Sequence, residues 1–458
     1  MSNALIKRWE PEDPVFWKDT GSLIAKRNLW ISIPCLLLAF SCSIVWSIVV
    51  LKMPLAGFSY TKDQLFLLTA LPSLSGATLR IFYSFLPSMM GGRKWTTIST
   101  ASLLIPAIWL GYAVQDPSTP YPVMLIIALL TGFGGGNFAS SMANIAYFFP
   151  KSQKGYANGM NAGLGNLGVS IAQFVMPLAI TVSMFGAFGG NPQALPDGGQ
   201  IWLQNAAFIW VPFVAVATIA AWFGMNDLAS AKASFTEQAV IFKRKHNWLM
   251  CWLYLGTFGS FIGFSAGFML LSKTQFPDVD PTKVAFIGPL VGALIRPIGG
   301  MVSDKLGGAR VTLGIFVGMV IAVLGVLSFL PGASGAGSFM GFFLCFLALF
   351  LLSGIGNGST YRMIPTIFST LAMREARGKD STSIKAAEAD GARESAAAAG
   401  FISAIGAYGG FIIPQTFGFS MKATGAAEAA LYVFIAFYLS CAAITWWYFA
   451  RKNAEMPC

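Results

Sequence analysis

Histidine occurs once in this 458-residue chain, Asp and Glu together only 19 times, and charged residues of all kinds make up 11% of it. A soluble protein of this size carries about 25%. Carboxylates and imidazoles are the usual carriers of acid–base chemistry, and here none lies in the middle of an apolar run. Asp63, Asp304, Glu394 and Glu428 stand only at run ends, and His246 sits beside Lys243, Arg244 and Lys245. Cysteine is sparse as well, with Cys35, Cys42, Cys251, Cys345 and Cys441 in apolar runs, Cys458 last, and no CxxC pair. Such residues read as small hydrophobes rather than a disulfide frame or a metal site. Neither an enzyme nor a resident metal or cofactor is expected.

The chain is instead rich in apolar residues, 55% of the total. They form twelve runs near 29–51, 63–88, 96–114, 121–148, 156–182, 202–225, 247–272, 283–303, 311–330, 338–366, 394–418 and 427–450. Each is about long enough to cross a ~30 Å hydrocarbon core as a helix. The first 28 residues are polar, so no signal peptide is read and the first run is a retained helix. The fold class is all-α, in the lipid bilayer.

The net charge of +11 has a topological explanation. Of the 30 Lys and Arg, 22 lie in the N-terminal tail, every second loop and the C-terminal tail, and only Lys52, Lys62, Lys273, Lys283 and Lys422 occupy the other loops. The positive-inside rule then places both termini in the cytoplasm, and no nucleic-acid partner is implied. Three arginines remain, inside the apolar runs: Arg80, Arg296 and Arg362.

Two of them reveal an internal repeat. "GATLR" ends at Arg80 and "GALIR" at Arg296, 216 residues apart, and a Gly-Gly pair follows each by eleven positions. "TGFGGGNF" (131–138) echoes "SGIGNGST" (353–360), and "GLGNLG" (163–168) more weakly echoes "AIGAYG" (404–409). Two pseudo-symmetric six-helix bundles are therefore expected. The division is a tail 1–28, a bundle 29–225, a linker 226–246, a bundle 247–450 and a tail 451–458. Secondary transporters built this way hold their substrate near the midplane between the halves. The loop "GGMVSDKLGGARVT" resembles the signature of the major facilitator superfamily, with Gly300, Asp304, Lys305, Gly308 and Arg310 in place. Its first-half counterpart, "SMMGGRKWT", lacks the acidic residue, so a charge lock there must be built differently.

An arginine at bilayer depth is costly and faces a cavity or a partner. Arg80 and Arg296 have no carboxylate at their depth in the sequence, which points to an anionic substrate. Arg362, near a run end, is expected to snorkel to the headgroups. The segment 163–168 has G-x-G-x-x-G spacing, but no strand precedes it and no acidic residue follows about twenty positions on, as a dinucleotide fold requires. Gly159, Gly163 and Gly168 instead leave one face of run 5 almost bare, which suits close helix packing or a small ligand. Asn166 among them favours a site-lining segment. Phe138, Tyr254, Phe258, Asn137 and Ser403 are further liners. Guanidinium forks and flat rings suit a small planar oxyanion.

Over nearly its whole length the sequence resembles the bacterial nitrate/nitrite porters of the NarK type. The likeness is carried by "RWEPEDPVFW", "NFASSMANIAYFFPK", "GMNAGLGNLGVSIAQ", "WFGMNDLA", "FGSFIGFSAGF" and "GFISAIGAYGGFIIPQ". It implies that Arg80 and Arg296 grip nitrate or nitrite, that Phe138 and Phe258 sandwich it, and that Tyr254, Asn166 and Ser403 supply hydrogen bonds. Gly163, Gly165, Gly168, Gly406 and Gly409 would let the halves rock, in a bacterial inner membrane and with a monomer sufficing. Tyr408 departs from the small aliphatic residue of relatives.

With no titratable group inside the runs, proton coupling has no obvious carrier. Two arginines ~6 Å apart would repel by about 3 kcal/mol at an effective dielectric near 20. An empty carrier would then rarely reorient, so exchange of nitrate for nitrite is expected. Nitrate–proton symport is the alternative, and an anion sensor acting through the charged stretch 367–395 a more distant one.

Overall fold

The structure is a computed structural model that describes residues 5–196, 198–229, 239–331, 337–376 and 380–458. Lys232, Arg377 and Lys379, counted above among the loop charges, lie outside the described residues. Twelve helices are long and apolar enough to cross a membrane. They are α1 Pro14–Lys52, α2 Lys62–Tyr83, α3 Gly92–Ala113, α4 Tyr121–Phe148, α5 Ser152–Ala179, α6 Asn205–Gly224, α7 Lys245–Gln275, α8 Pro281–Leu306, α9 Gly308–Phe329, α10 Phe339–Glu375, α11 Ala386–Thr424 and α12 Glu428–Ala450. Two small strand pairs lie outside the spans: β1 (Leu5–Ile6) runs parallel to β4 (Asp227–Leu228), and β2 (Gln193–Ala194) antiparallel to β3 (Gln200–Ile201).

The helix starts follow local chemistry. Thr61 and Gln64 form a capping box at α2, each side chain bonded to the other's backbone N–H at 3.4 and 2.9 Å. At α1, Asp13 accepts from the Val15 N–H at 2.9 Å and Pro14 occupies the first helical position. Helix therefore begins within the segment read above as a polar tail. That segment is anchored: Trp9 packs with Leu29, Ile145 and Phe148, and its indole N–H donates to the Tyr147 carbonyl at 3.2 Å.

The repeat is also written in the backbone. The helix before each Gly-Gly joint, a short one at Leu86–Met90 after α2 and α8 in the second half, stops at a glycine of positive φ, +99° at Gly91 and +88° at Gly307, and the next helix starts at Gly92 or Gly308. Only the acid differs. Asp304 pairs with Arg362 on α10, which also donates to Thr366 at 3.3 Å, so this arginine is engaged by a carboxylate rather than only snorkelling. At the first joint the carboxylate comes from beyond α6. Asp227 Oδ1 accepts from the Arg93 N–H at 2.8 Å, at the start of α3, and Oδ2 lies 3.3 Å from Arg93 Nε. The guanidinium in turn covers the Trp222 ring at 4.5 Å and donates to the Trp222 carbonyl. A Cβ at Gly91, where φ is positive, would stand 2.4 Å from Asp227 Oδ1, and one at Gly92 1.8 Å from Asn144 Oδ1, so both positions favour glycine.

Both partners are nearly buried, with side chains 13% and 8% exposed. Asp227→Ala removes the cap and leaves Arg93 uncompensated, an expected loss of about 3 kcal/mol. Asp227→Asn, which keeps an acceptor for the N–H, is expected to lose less. Thermal unfolding of the detergent-solubilised protein measures the order, and an Ala variant as stable as wild type would exclude the lock.

The helices group into two compact units. Unit 1 comprises Met1–Ala233, Gly263–Leu290 and Gly410–Ala427; unit 2 comprises Ser234–Ile262, Val291–Gly409 and Glu428–Cys458. Within unit 1, α5 holds the later segments through Gln173 Nε2, which donates to the Ser265 carbonyl at 2.7 Å, and Ser170, which donates to the Phe286 carbonyl at 2.9 Å. Lys422 lies 3.3 Å from Asp63. In unit 2 the described residues of the charged stretch 367–395 are largely helical, forming the end of α10 and a helix starting at Ser381. Arg244 joins them, paired with Glu375 and bonded to Glu394 at 2.9 and 3.0 Å. These carboxylates, Glu375 first, hold the guanidinium above its ordinary pKa.

Candidate functional site

In unit 1 the candidate residues stand on α2, α4 and α5. Glycines bring α2 and α4 to backbone contact: a Cβ at Gly76 would be 2.9 Å from the Gly135 Cα, and one at Gly132 would strike the Gly76 amide at 2.7 Å. That approach lets Arg80, 2% exposed, donate from Nε to the Gly135 carbonyl at 2.7 Å. Phe138, three residues on, offers its ring to the guanidinium at 4.9 Å. The interaction is a cation–π contact, strengthened where water is excluded. The first copy of the motif therefore builds an arginine oriented by a carbonyl and a ring. Asn137, expected as a liner, donates to the Ser99 carbonyl at 3.4 Å.

The glycines of α5 divide between two surroundings. Cβ atoms at Gly165 and Gly168 would meet Leu36 at 2.7 Å and the Leu37 carbonyl at 2.1 Å, so these two pack on α1. At Gly159 and Gly163 nothing lies within 4 Å. Asn166 is buried and its amide oxygen has no partner among the described residues.

In unit 2 the site residues come from α7, α8 and α11. The middle of α7 widens into a π-helical turn at Leu255–Gly259, a distortion that often marks functional sites. Tyr254 precedes this turn and Phe258 lies in it, their rings stacked 5.3 Å apart at 16°. Glycines make the room. A Cβ at Gly256 would stand 2.6 Å from the Phe316 ring, one at Gly406 2.6 Å from Tyr254 Cδ1, and one at Gly409 2.2 Å from the Gly259 Cα. Ser403, buried, lies a turn before Gly406 and donates to the Gly400 carbonyl at 2.8 Å. Tyr408 marks a one-residue break in the regular helix of α11, between Ala407 and Gly409, where its N–H donates to the Ile405 carbonyl at 3.1 Å.

Arg296 is 8% exposed, and its Nη2 donates to the Tyr254 hydroxyl at 3.2 Å. Its Nη1 is buried without a hydrogen-bond partner among the described residues. A buried, unpaired N–H on a cation is costly and is normally satisfied by an anion or water. Sequence reasoning missed Tyr361, whose ring lies 5.7 Å from the Arg296 guanidinium carbon and 6.0 Å from the Tyr254 ring. Its signal was the spacing Gly354, Gly358, Tyr361, one helical face of "GIGNGSTY". Of the superfamily-like loop, Asp304 meets Arg362 as described, while Lys305 and Arg310 are exposed. Each unit thus presents a buried guanidinium with one side chain ring against it, an arrangement able to bind a small anion by paired donors.

Residues 33–389 match the Major Facilitator Superfamily. The chain is 53% identical over 98% of its length, and 97% of the relative's, to a protein named nitrate/nitrite transporter NarU from Salmonella typhimurium (strain LT2). It is 41% identical over 99% of its length, and 98% of the relative's, to one named probable nitrate/nitrite antiporter NarK2 from Thermus thermophilus. Among solved structures, a crystal structure of a D-xylose–proton symporter superposes with a TM-score of 0.66, covering 95% of this chain and 98% of that one at 14% identity. That likeness concerns the fold alone.

Proposed function

Because this chain belongs to the Major Facilitator Superfamily, among its bacterial NarK-type nitrate/nitrite porters, we propose that it works as an antiporter, importing nitrate in exchange for nitrite by alternating access. It is a multi-pass membrane protein of twelve helices and a nitrate/nitrite transporter. In this reading Arg80 and Arg296 grip the anion, Phe138 and Phe258 offer ring faces, and Tyr254, Asn166 and Ser403 supply hydrogen bonds. Gly163, Gly165, Gly168, Gly406 and Gly409 permit helix movement, and the loop of Asp304, Lys305, Gly308 and Arg310 gates it. The protein sits in the inner membrane with both termini cytoplasmic, as the distribution of its positive charge supports, and functions as a monomer.

The observation that carries the reading is the unpartnered Nη1 of Arg296, a buried cationic donor beside the Tyr254 hydroxyl. Transport without substrate on the return stroke would move the buried Arg296 donor unsatisfied, which favours exchange over net uptake. Counterflow in proteoliposomes tests this. Labelled nitrate is expected to enter vesicles loaded with nitrate or nitrite, and not empty or chloride-loaded ones, whatever the pH gradient. Equal uptake into empty vesicles driven by inward protons would establish symport instead.

A further inference from the structure

We propose that Tyr361 is a positioning residue for the anion: its ring backs the Arg296 guanidinium so that Nη1 is the donor left for substrate. This rests on the reading of Arg296 as an anion ligand.

The placement follows from how α10 packs. A Cβ at Gly354 would stand 2.4 Å from the Gly292 carbonyl, and one at Gly358 2.3 Å from the Arg296 carbonyl. These two glycines press α10 against the backbone of α8, and Tyr361 comes next on the same face. The rotation of α10 is fixed further by the Thr360 and Thr257 hydroxyls, which lie 3.1 Å apart between α10 and α7. Tyr361 thereby reaches α7 and α8 together, its ring tilted 48° to that of Tyr254. The guanidinium has an edge on the Tyr254 hydroxyl and a ring behind it, which leaves its remaining edge for a ligand. A long arginine side chain otherwise samples many rotamers, and ordering it beforehand strengthens binding without a new contact to substrate. The next residue, Arg362, pairs with Asp304, so consecutive side chains of α10 hold α8 at its anion arginine and at its gating loop.

The test uses the full chain in nitrite-loaded proteoliposomes, with labelled nitrate uptake followed across a concentration series. Tyr361→Leu is expected to raise KM about ten-fold, the scale of a lost desolvated cation–π contact, with Vmax changed less than about two-fold. Tyr361→Phe, which keeps the ring, should retain the wild-type KM. Tyr361→Met, also without a ring, repeats the Leu result if Leu elutes as aggregate. Arg296→Lys, assayed in parallel, separates the two readings. Loss of uptake in Arg296→Lys with unchanged KM in both Leu and Met variants overturns the role of Tyr361 alone. A fall in Vmax at constant KM, or a Phe variant as impaired as Leu, also overturns it. A wild-type KM in Arg296→Lys removes the anion site and this inference with it.

Discussion

Lysine at position 80 or 296 is expected to lower exchange at limiting nitrate by about 100-fold or more, although the charge is kept. The size follows from counting donors. A guanidinium offers five N–H groups in a planar fork, and a lysine ammonium three on one atom. At position 80 one donor is already committed, because Nε serves the Gly135 carbonyl at 2.7 Å. At position 296, Nη2 serves the Tyr254 hydroxyl. A lysine that reaches either partner has no second edge for the anion, so a pair of charged hydrogen bonds is lost. Each is worth about 1.5–3 kcal/mol, and two together exceed two orders of magnitude. Flat aromatic contact is lost as well, since an ammonium lacks a face to lay on Phe138 or Tyr361. Initial rates of nitrite-driven nitrate uptake measure this, and lysine variants with wild-type rates at limiting nitrate would sink the two-arginine site.

The second large effect is structural and divides glycines that look alike in sequence. Gly409→Ala sets a methyl 2.2 Å from the Gly259 Cα, and Gly168→Ala sets one 2.1 Å from the Leu37 carbonyl. In both cases the obstacle is backbone, which cannot swing aside, so two helices must part. Overpacking costs of about 1–3 kcal/mol are typical where side chains can yield, and these exceed that range. Both variants are expected to lose most of their monodisperse yield. Gly163→Ala meets nothing within 4 Å and gains helix propensity, so its stability should equal or exceed wild type by up to about 1 kcal/mol. Size-exclusion profiles and melting temperatures read the contrast. Equal stability of Gly409→Ala and Gly163→Ala would mean that the α7–α11 crossing is not close.

The spans, the arginine repeat and the Gly-Gly joints were legible because each is local: a hydropathy run or a short motif that recurs. The start of α1 was written at Asp13-Pro14, a cap followed by a first-turn proline, but a polar composition concealed it. The charged stretch 367–395 was legible as charged, and its helices, which need no apolar face where they leave a membrane, follow from the structure. Asp227 was out of reach for another reason. It lies 134 positions from Arg93, and a lock made by distant residues has no spacing to read. Arg362 was legible as an interior charge, whereas its pairing with Asp304 depends on how α8 and α10 pack. Tyr361 was hidden by plenty: among 12 tyrosines and 39 phenylalanines, only packing distinguishes the ring that meets a guanidinium.

The strand pair β1–β4 has a practical consequence for handling the protein. Leu5 and Ile6 lie in register with Asp227 and Leu228, and the Ala229 N–H donates to the Ile6 carbonyl at 3.0 Å. The few residues ahead of α1 thus clip down the same peptide that caps α3. Proteolytic trimming through Leu5–Trp9, or an affinity tag spliced between them, would therefore be felt at Arg93, far along the chain. Tags belong elsewhere, and a trimmed preparation should melt as the Asp227 variants do.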